Sequence, residues 1–351
     1  MNRVFKVLCH GQFWNGSTTS QRFEAFSAIE GVQAIPLDCG ARMERKAALW
    51  HRVRWKLRWP VDTHKENLRL LEVCRLEKPT CVIVDNSKVI SKGTLISLRG
   101  LGVQVLVYYS PDDIVARHNL SLPLKRSLPL WDLVFTTKTF NIQELQLLGV
   151  RQPCLIGKSF DPTLHCPLPG LTSPDEHEAF DAVFVGTYEV ERCRSINALA
   201  EAGTSVVVYG RDLGGWKASQ LHERIELRPS VFGEDYRQAW HTGKVALCFL
   251  RKLNRDKITQ RTMEIAAMAR PMVAEKTAEH DEHFQDGTEY FGFTNNHELV
   301  HSVNRLLADP SLRKSVGRAA RERCHRSGYS THDRAREMIS LIQDNLRKRK
   351  T

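Results

Sequence analysis

Short apolar runs alternate with polar, helix-like segments along the first half of the chain. The runs, each bounded by turn residues, are 4–10, 32–38, 81–86, 103–110, 132–138 and a last one near 153–160. Between them, residues 17–29 begin with an N-cap-type serine, and residues 63–76 carry a second helical pattern. Continuous apolar strands between helices are typical of a parallel sheet covered on both faces. The pattern predicts a doubly wound, Rossmann-like α/β domain over residues 1–157.

The same pattern starts again after a proline-rich segment. Residues 158–180 are rich in proline and acidic residues and lack helical periodicity, which indicates an interdomain linker. Apolar runs follow at 182–188, 206–210, 225–229, 245–250 and 271–275, and helices are predicted at 296–308, 312–326 and 331–347. We predict a second Rossmann-like domain over 181–330, and a C-terminal helix within 331–351 that packs back on the first domain. Two such domains place a ligand cleft between the carboxyl ends of their sheets.

Length and charge narrow the class of protein. The chain has 351 residues, enough for two ordinary domains, and its hydrophobic and charged fractions of 42% and 26% are typical of globular proteins. No apolar run is long enough for a transmembrane helix, and the one at the N-terminus is too short for a signal peptide. The net charge of +11 favours an anionic partner: a nucleotide diphosphate, a membrane surface or a nucleic acid.

The cysteines give no sign of a disulfide scaffold. There are nine, an odd number, and none forms a C-x-x-C pair. This argues against both disulfides and a zinc site. Cys9, Cys81 and Cys248 lie in apolar runs, where a thiol behaves as a small hydrophobe. We expect reduced, buried cysteines in a cytoplasmic protein.

A basic cluster follows the apolar run 245–250. It consists of Arg251, Lys252, Arg255, Lys257 and Arg261. A helix is expected to begin near residue 256 or 258, and a helix N-terminus with its free N–H groups suits a phosphate. Thr259 and Thr262 can add hydroxyl donors, while the basic side chains neutralise a diphosphate. On position alone, a solvated basic loop explains the cluster equally well.

Acidic residues follow the same helix start. Glu264 lies far enough into the helix to accept hydrogen bonds from a ribose diol, although a surface glutamate would give the same pattern. Glu275 ends the next predicted strand, and Glu279 and His280 follow it. These later residues either bind sugar hydroxyls or form an ordinary polar turn.

Residues 258–293 resemble the C-terminal half of group 1 glycosyltransferases of the GT-B fold, in the branch that includes spore-maturation-type glycosyltransferases. The branch carries an R-T-x-E-I helix and a later F-x-x-G-x-E segment. The residues at those places are Arg261, Thr262, Glu264, Ile265, Phe284, Gly287 and Glu289. Residues 159–167, 184–210 and 298–324 resemble further parts of the same family. The resemblance covers roughly residues 155–340, and the first half agrees in architecture only.

The resemblance implies a donor site. In the family, the helix that carries Thr262 and Glu264 contacts the donor diphosphate and ribose. Glu264 matches the second glutamate of the broader E-x7-E pattern, but the first would fall near Lys257 and is missing. The choice between a retaining and an inverting mechanism therefore stays open. Family members commonly work without a metal, and Asp112 and Asp113 are adjacent instead of spaced as D-x-D. We expect no metal and no cofactor beyond a nucleotide-sugar co-substrate, with UDP the commonest nucleotide.

The remaining donor contacts are expected at the ends of three strands. Gly186 and Tyr188 follow the opening strand of the second half. Gly210 and Arg211, and then residues 229–231, are expected near the nucleobase. Nothing in the pattern selects a particular base.

The first half is expected to hold the acceptor and any general base. His10 ends the first predicted strand, and Asp112 follows the run 103–110. An inverting transferase needs a base for the acceptor hydroxyl, and Asp112 or His10 can serve. A cap or turn residue would occupy the same positions, and a retaining enzyme needs no such base.

Residues 41–60 combine lysine and arginine with three tryptophans, Trp50, Trp55 and Trp59. On a helix, Trp50 would join Val53 and Leu57 in an apolar stripe flanked by arginines. Such a stretch suits an anionic membrane surface, and arginine–tryptophan alternation also suits nucleic acid. A helix packed on the sheet, with its tryptophans inside and its arginines solvated, explains the stretch at least as well as either.

Our first hypothesis is a glycosyltransferase that moves a hexose-type unit from a nucleotide-diphosphate sugar to a cell-envelope glycan or a lipid-linked acceptor. We expect it in the cytoplasm, with peripheral contact to the inner face of the membrane through residues 42–59. The alternatives are a nucleic-acid-binding protein that docks through the same residues and a sugar-nucleotide epimerase of the GT-B fold.

Overall fold

The computed structural model describes residues 4–40, 49–168 and 178–349. They form two compact units. One comprises Met1–Gly157 together with Thr331–Thr351, and the other comprises Lys158–Ser330. Each unit is built around its own parallel sheet.

The first unit has a six-stranded sheet in the order β2-β1-β3-β4-β5-β6, with every described pair parallel. Its strands are β1 (Phe5–Gly11), β2 (Val32–Asp38), β3 (Cys81–Asp85), β4 (Val105–Ser110), β5 (Leu133–Thr136) and β6 (Pro153–Leu155). The helices between them are α1 (Thr18–Ser27), α2 (Leu49–Lys56), α3 (Glu66–Glu77), α4 (Lys92–Gly100), α5 (Leu122–Ser127) and α6 (Asn141–Leu147). Because the strand order reverses between β1 and β3, the carboxyl ends of these two strands mark a switch point where α/β sheets bind ligands.

The second unit has the strand order β12-β11-β10-β7-β8-β9, again all parallel. Its strands are β7 (Phe180–Val185), β8 (Val206–Tyr209), β9 (Ile225–Arg228), β10 (Gly243–Cys248), β11 (Met272–Glu275) and β12 (Phe291–Phe293). Its helices are α7 (Val190–Glu201), α8 (Gly233–Trp240), α9 (Gln260–Ala267), α10 (Ala278–His283), α11 (Asn296–Ala308) and α12 (Pro310–Arg326). This is the dinucleotide-binding strand order, and its switch point lies between β7 and β10.

The last helix, α13 (Thr331–Lys348), belongs to the first unit. Its buried face, which includes Ala335, Met338 and Ile342, packs in one cluster with Phe26 of α1 and Val107 of β4. The helix therefore covers one face of the first sheet, while α3 and α4 cover the other.

The predicted fold class, two doubly wound α/β domains, is confirmed. The runs at 32–38 and 296–308 match β2 and α11 residue for residue, and the predicted cap Ser17 accepts a hydrogen bond from the Ser20 N–H at the start of α1. Both faces of the strands are buried, which is why they read as continuous apolar runs.

Three local predictions need correction. The helix expected near residue 256 or 258 begins at Gln260, because a short turn and the left-handed Arg255 precede it. Strand β12 escaped prediction, since it has only three residues. Residues 158–168 are not a free linker: Phe160 is fully buried in the core of the second unit. The predicted helix over 41–60 is described only from Leu49, and residues 41–48 lie outside the described part.

Among the described residues, no helix combines the length and the apolar character that crossing a bilayer requires.

Candidate active site

The start of α9 stands at the switch point of the second unit. Strand β10 ends at Cys248, a basic loop follows, and α9 begins after Thr259. The Arg261 side chain of α9 reaches back to β7, where its Nε donates to the Val185 carbonyl over 2.7 Å. The helix N-terminus thus lies beside the carboxyl ends of both central strands, with its free N–H groups and positive dipole end.

The two threonines at this helix start are buried. Thr259 N–H lies 3.4 Å from Thr262 Oγ1, and Thr262 Oγ1 lies 3.0 Å from His280 Nε2 and 3.6 Å from Cys248 Sγ. Because Thr262 is fully buried and its hydroxyl is engaged, the expectation that it donates to a phosphate is wrong. Thr259 and Thr262 instead cap the first turn of the helix with each other's hydroxyl and N–H groups, which leaves the N–H groups of the first two helical residues, Gln260 and Arg261, as the donors there.

Glu264 lies on the buried side of α9, and its carboxylate is held in place. The Tyr236 hydroxyl of α8 donates to Oε2. His165 Nε2 lies 3.9 Å from Oε1, while His165 Nδ1 accepts from the Asp161 N–H at 2.9 Å. Because His165 Nδ1 accepts a hydrogen bond, the proton of the neutral His165 ring lies on Nε2, which faces the Glu264 carboxylate. Burial raises the pKa of Tyr236, so its hydroxyl stays protonated and remains a donor.

Two arginines, Arg192 and Arg261, both donate to backbone carbonyls at the carboxyl end of β7. Arg192 of α7 is buried, and its Nη1 donates to the Thr187 carbonyl at 3.0 Å. Burial lowers the pKa of Arg192; Glu189 opposes this, and the nearby cation Arg261 adds to it. The pair leaves a concentrated positive charge that a diphosphate would neutralise.

The other basic residues of the loop have different surroundings. Arg251 Nε lies 3.7 Å from Glu189, and Lys252 Nζ lies 3.1 Å from Glu275. Lys257 is exposed, and its carbonyl accepts from the Thr277 hydroxyl at 2.6 Å. Arg255 is exposed and adopts a left-handed backbone with φ 48°.

The two later acidic residues have structural contacts. Glu275 accepts a hydrogen bond from the Leu250 N–H at 2.7 Å and so stabilises the loop after β10. Glu279, half-buried in the first turn of α10, accepts from His283 Nδ1 through its carbonyl.

The predicted base-binding residues come together at the ends of β7 and β8. A Cβ on Gly210 would lie 2.1 Å from the Gly186 carbonyl oxygen, so only glycine fits there. The same oxygen accepts from Trp216 Nε1 at 3.0 Å, and the Trp216 ring packs edge-on against Tyr188 at 5.3 Å. Arg211 is exposed beside this group.

In the first unit, Asp112 lies beyond the carboxyl end of β4. Its Oδ2 accepts from Asn86 Nδ2 at 3.1 Å, and Asn86 follows β3. Asp112 is half-buried, whereas Asp113 is fully buried and caps the turn that follows through the N–H groups of Val115 and Ala116. Of the two neighbouring carboxylates, only Asp112 is accessible to an acceptor.

His10 lies at the carboxyl end of β1, but it is 1% exposed. Its Nε2 is 3.3 Å from Glu66 Oε2. Burial, with the cation Arg69 as the next cause, lowers the pKa of His10 to about 4. Burial also raises the pKa of Glu66 to about 7, although the Ser87 hydroxyl donates to it. A buried and weakly basic imidazole is a poor general base for a bound hydroxyl.

Sequence reasoning missed several residues that shape these sites. Arg192, Tyr236 and His165 come close to residues of α9 only because the chain folds, so their positions in the sequence do not reveal it. Glu66 and Cys39 meet His10 from separate segments. The burial of Arg192 is known only from the structure, so nothing in the sequence signals it.

Helix α2 and the residues after it expose large apolar side chains. Trp50, Val53, Trp55, Leu57 and Trp59 are each 37% to 66% exposed. A cavity of about 460 Å³ adjoins them, and its walls include Trp50 and Trp59 with three cationic residues, Arg54, Lys92 and Arg126. These exposures do not fit the interpretation in which the helix packs with its tryptophans against the sheet.

The C-terminal half of the chain matches a known family. Residues 192–340 match the family described as glycosyl transferase-like. No curated protein sequence matches the chain. The predicted class, a glycosyltransferase of the GT-B fold, is confirmed, while the spore-maturation branch stays a prediction.

Solved structures of the same fold cover nearly the whole chain. HepE of Anabaena in complex with UDP and glucose has a TM-score of 0.67 at 12% identity, covering 97% of this chain and 100% of that one. Sucrose-phosphate synthase of Thermosynechococcus elongatus has a TM-score of 0.62 at 13% identity, covering 97% and 98%. A DNA-modifying β-glucosyltransferase has a TM-score of 0.60 at 13% identity, covering 96% and 99%. At these identities the similarity establishes the fold.

The buried His280 makes the helix start sensitive to acid. Burial, with His283 as the next cause, lowers the pKa of His280 from 6.5 to about 4. Between these values the unfolded chain binds a proton that the folded chain does not, so stability falls as the pH drops from 6.5 to 4. We expect this group to contribute a loss of about 3 kcal/mol across that window.

Urea unfolding at several pH values measures the effect. His280→Gln should flatten the pH dependence between 6.5 and 4 relative to the wild type. The control is His297→Gln, which replaces an exposed histidine and should keep the wild-type slope. An unchanged slope in His280→Gln would contradict the assignment.

Proposed function

We propose that this glycosyltransferase takes its sugar from a nucleoside-diphosphate sugar, most simply UDP-sugar, bound at the carboxyl edge of the second unit. The observation that carries the proposal is the start of α9, where a helix N-terminus, Arg261 and Arg192 converge at the switch point. Gly186, Tyr188, Gly210 and Arg211 form the base side of the site. Arg255, Lys257, Thr259, Thr262 and Glu279 remain proposed contributors, with Thr259 and Thr262 acting indirectly, by capping the helix whose first N–H groups would bind the phosphate.

The diphosphate is the leaving group, and its negative charge grows in the transition state. Fixed N–H dipoles and two preorganised guanidinium groups stabilise such charge without reorganising during the reaction. Arg261 is tied to Val185 and Arg192 to Thr187. Both cations are therefore held before the donor arrives, as this chemistry requires.

Glu264 is proposed to bind the ribose diol. The Tyr236 hydroxyl already occupies Oε2, and the carboxylate keeps acceptor capacity for the sugar hydroxyls. A ribose that hydrogen-bonds a fixed, largely buried carboxylate gains more than it would from a mobile one, since less side-chain entropy is lost.

Glu264→Ala should weaken UDP binding by at least about tenfold, the effect of losing roughly 1.5–3 kcal/mol of charge-assisted hydrogen bonding. Isothermal titration with UDP measures it, with Tyr236→Phe expected to give a smaller loss in the same direction. Glu223→Ala, an exposed glutamate of the same unit, is the control and should bind as the wild type does. Unchanged affinity in Glu264→Ala would sink the assignment of the ribose site.

The acceptor is proposed to be a cell-envelope glycan or a lipid-linked sugar, and Asp112 the general base of an inverting transfer. Asp112 is accessible and sits at the carboxyl edge of the first sheet, whereas His10 is buried. Asn86 orients one oxygen of Asp112 and leaves the other to accept the proton of the acceptor hydroxyl. Release of nucleoside diphosphate that requires an acceptor would separate this activity from that of an epimerase of the same fold.

Asp112→Asn should lower kcat by roughly 10²–10⁴-fold, the usual effect of losing a general base. Because Asp112 belongs to the first unit and the proposed donor site to the second, the affinity for UDP should stay within about twofold. A steady-state assay with anomeric analysis of the product measures both the rate and the stereochemistry. A retained anomeric configuration, or a kcat within twofold of the wild type, would exclude Asp112 as the base.

We further propose that α2 and the following residues, 49–59, bind the anionic face of the inner membrane from the cytoplasm. Exposed tryptophans beside cationic side chains suit the interface of a bilayer. Lys88 and Arg126 stack near Trp55 and Trp59 at 5.6 and 4.8 Å, which adds cations around the apolar surface. All nine cysteines are free, as a reducing compartment would keep them.

Trp50→Ala/Leu57→Ala should bind anionic phospholipid vesicles at least about tenfold more weakly, because two large apolar groups no longer enter the bilayer. Vesicle co-sedimentation measures the partition, and zwitterionic vesicles should bind the wild type poorly. Leu76→Ala/Leu147→Ala removes two residues of the first unit that are 80% and 82% exposed, and it should bind as the wild type does. Salt-dependent binding of RNA or DNA without vesicle binding would favour the nucleic-acid alternative.

A further inference from the structure

Three potential metal ligands meet inside the first unit. His10 lies near the end of β1, Cys39 directly follows β2, and Glu66 is the first residue of α3. Their ligand atoms all lie within 4.8 Å of one another. His10 and Cys39 are buried, and the Glu66 side chain is 14% exposed. The three residues are far apart in sequence, which is why the spacing of the cysteines gave no hint of a site.

His10 is the unexplained member of this cluster. Neither of its ring nitrogens forms a hydrogen bond of acceptable geometry among the described residues, although it is 1% exposed. Its Nε2 nevertheless points to Glu66, 3.3 Å from Oε2. A buried polar group without a partner costs about 1–3 kcal/mol, so a native protein usually supplies one.

We propose that His10, Cys39 and Glu66 bind one divalent transition-metal ion of the zinc class. An imidazole nitrogen, a thiolate and a carboxylate oxygen are the donors that Zn²⁺ takes. Ligand atoms around a tetrahedral Zn²⁺ lie about 3.3–3.8 Å apart, so the cluster needs only small side-chain adjustments to close on an ion. A water completes the fourth position.

The backbone around the cluster is rigid, as a preorganised site requires. Strands β1 and β2 pair in parallel with His10 opposite Leu37, and the Cys39 N–H donates to the Gly11 carbonyl at 2.8 Å. The Ser87 hydroxyl donates to Glu66 Oε2 at 2.6 Å and orients the carboxylate. Such partners of a ligand commonly accompany metal sites.

Binding expels the thiol proton of Cys39 to solvent and forms a metal–sulfur bond, with no change of oxidation state. The site is separate from the donor edge of the second unit. If His10 is a ligand, it is not the general base, and Asp112 remains for that role.

The test uses the full chain, stripped with a chelator and titrated with Co²⁺ as a spectroscopic probe and then with Zn²⁺. We expect one equivalent to bind, with the d–d bands of tetrahedral Co²⁺ and a thiolate-to-cobalt charge-transfer band. Cys39→Ser should lose the charge-transfer band, and His10→Asn should weaken Zn²⁺ binding by more than the roughly 10–100-fold caused by loss of a ligand's hydrogen-bond partner. Cys154→Ser, a half-buried cysteine of the same unit, is the matched control and should keep the spectrum.

X-ray absorption of the zinc-loaded wild type needs no variant and decides the case if a substitution fails to fold. One sulfur and two or three nitrogen or oxygen ligands are expected. The absence of stoichiometric metal, a sulfur-free shell, or a charge-transfer band that survives in Cys39→Ser would overturn the proposal. UDP binding should persist in every folded variant, so failure of the metal site and failure of the donor site are distinguishable.

Discussion

The position of α9 in the second unit depends on the hydrogen bond between Tyr236 and Glu264. The bond links α8 to α9, and the approach of His165 adds the segment that enters the unit. A carboxylate this deep is expensive to desolvate, and it becomes tolerable only when donors face it. The same contacts that satisfy Glu264 also set the position of α9. The direction of the helix N-terminus therefore depends on a side chain that we propose to be part of the ligand site.

The charge around that helix start is balanced only in part. Glu189 faces Arg192 and Arg251, and Glu275 faces Lys252, yet Arg192 and Arg261 still repel each other. The charge of Arg261 disfavours the charged form of Arg192 and lowers its pKa. An anion bound between them removes the repulsion and gains two charge-assisted bonds. At the donor site that we propose, this repulsion would favour an anionic ligand over a neutral one.

The architecture could be predicted because its signals are local. Strands buried on both faces read as apolar runs, and caps such as Ser17 announce a helix from the nearest residues. The sequence could place candidate site residues only where the position at the end of a strand sufficed, as for Gly186, Gly210 and Asp112. Tyr236 and Arg192 escaped because their roles arise from packing between helices. Thr262 was misjudged for a related reason: its place in the first turn is visible in the sequence, but the burial that turns its hydroxyl toward His280 is not.

The two histidines at strand and helix ends illustrate how burial decides a role. His280 is fully buried, but Thr262 and Thr277 lie within hydrogen-bonding distance of its two nitrogens, so the imidazole completes a structural network. His10 is equally buried without such partners, and its nearest polar neighbours are a carboxylate and a thiol. A divalent cation would coordinate His10, Cys39 and Glu66 at once, whereas a proton can be shared only between His10 and Glu66 and leaves the Cys39 thiol uncoordinated.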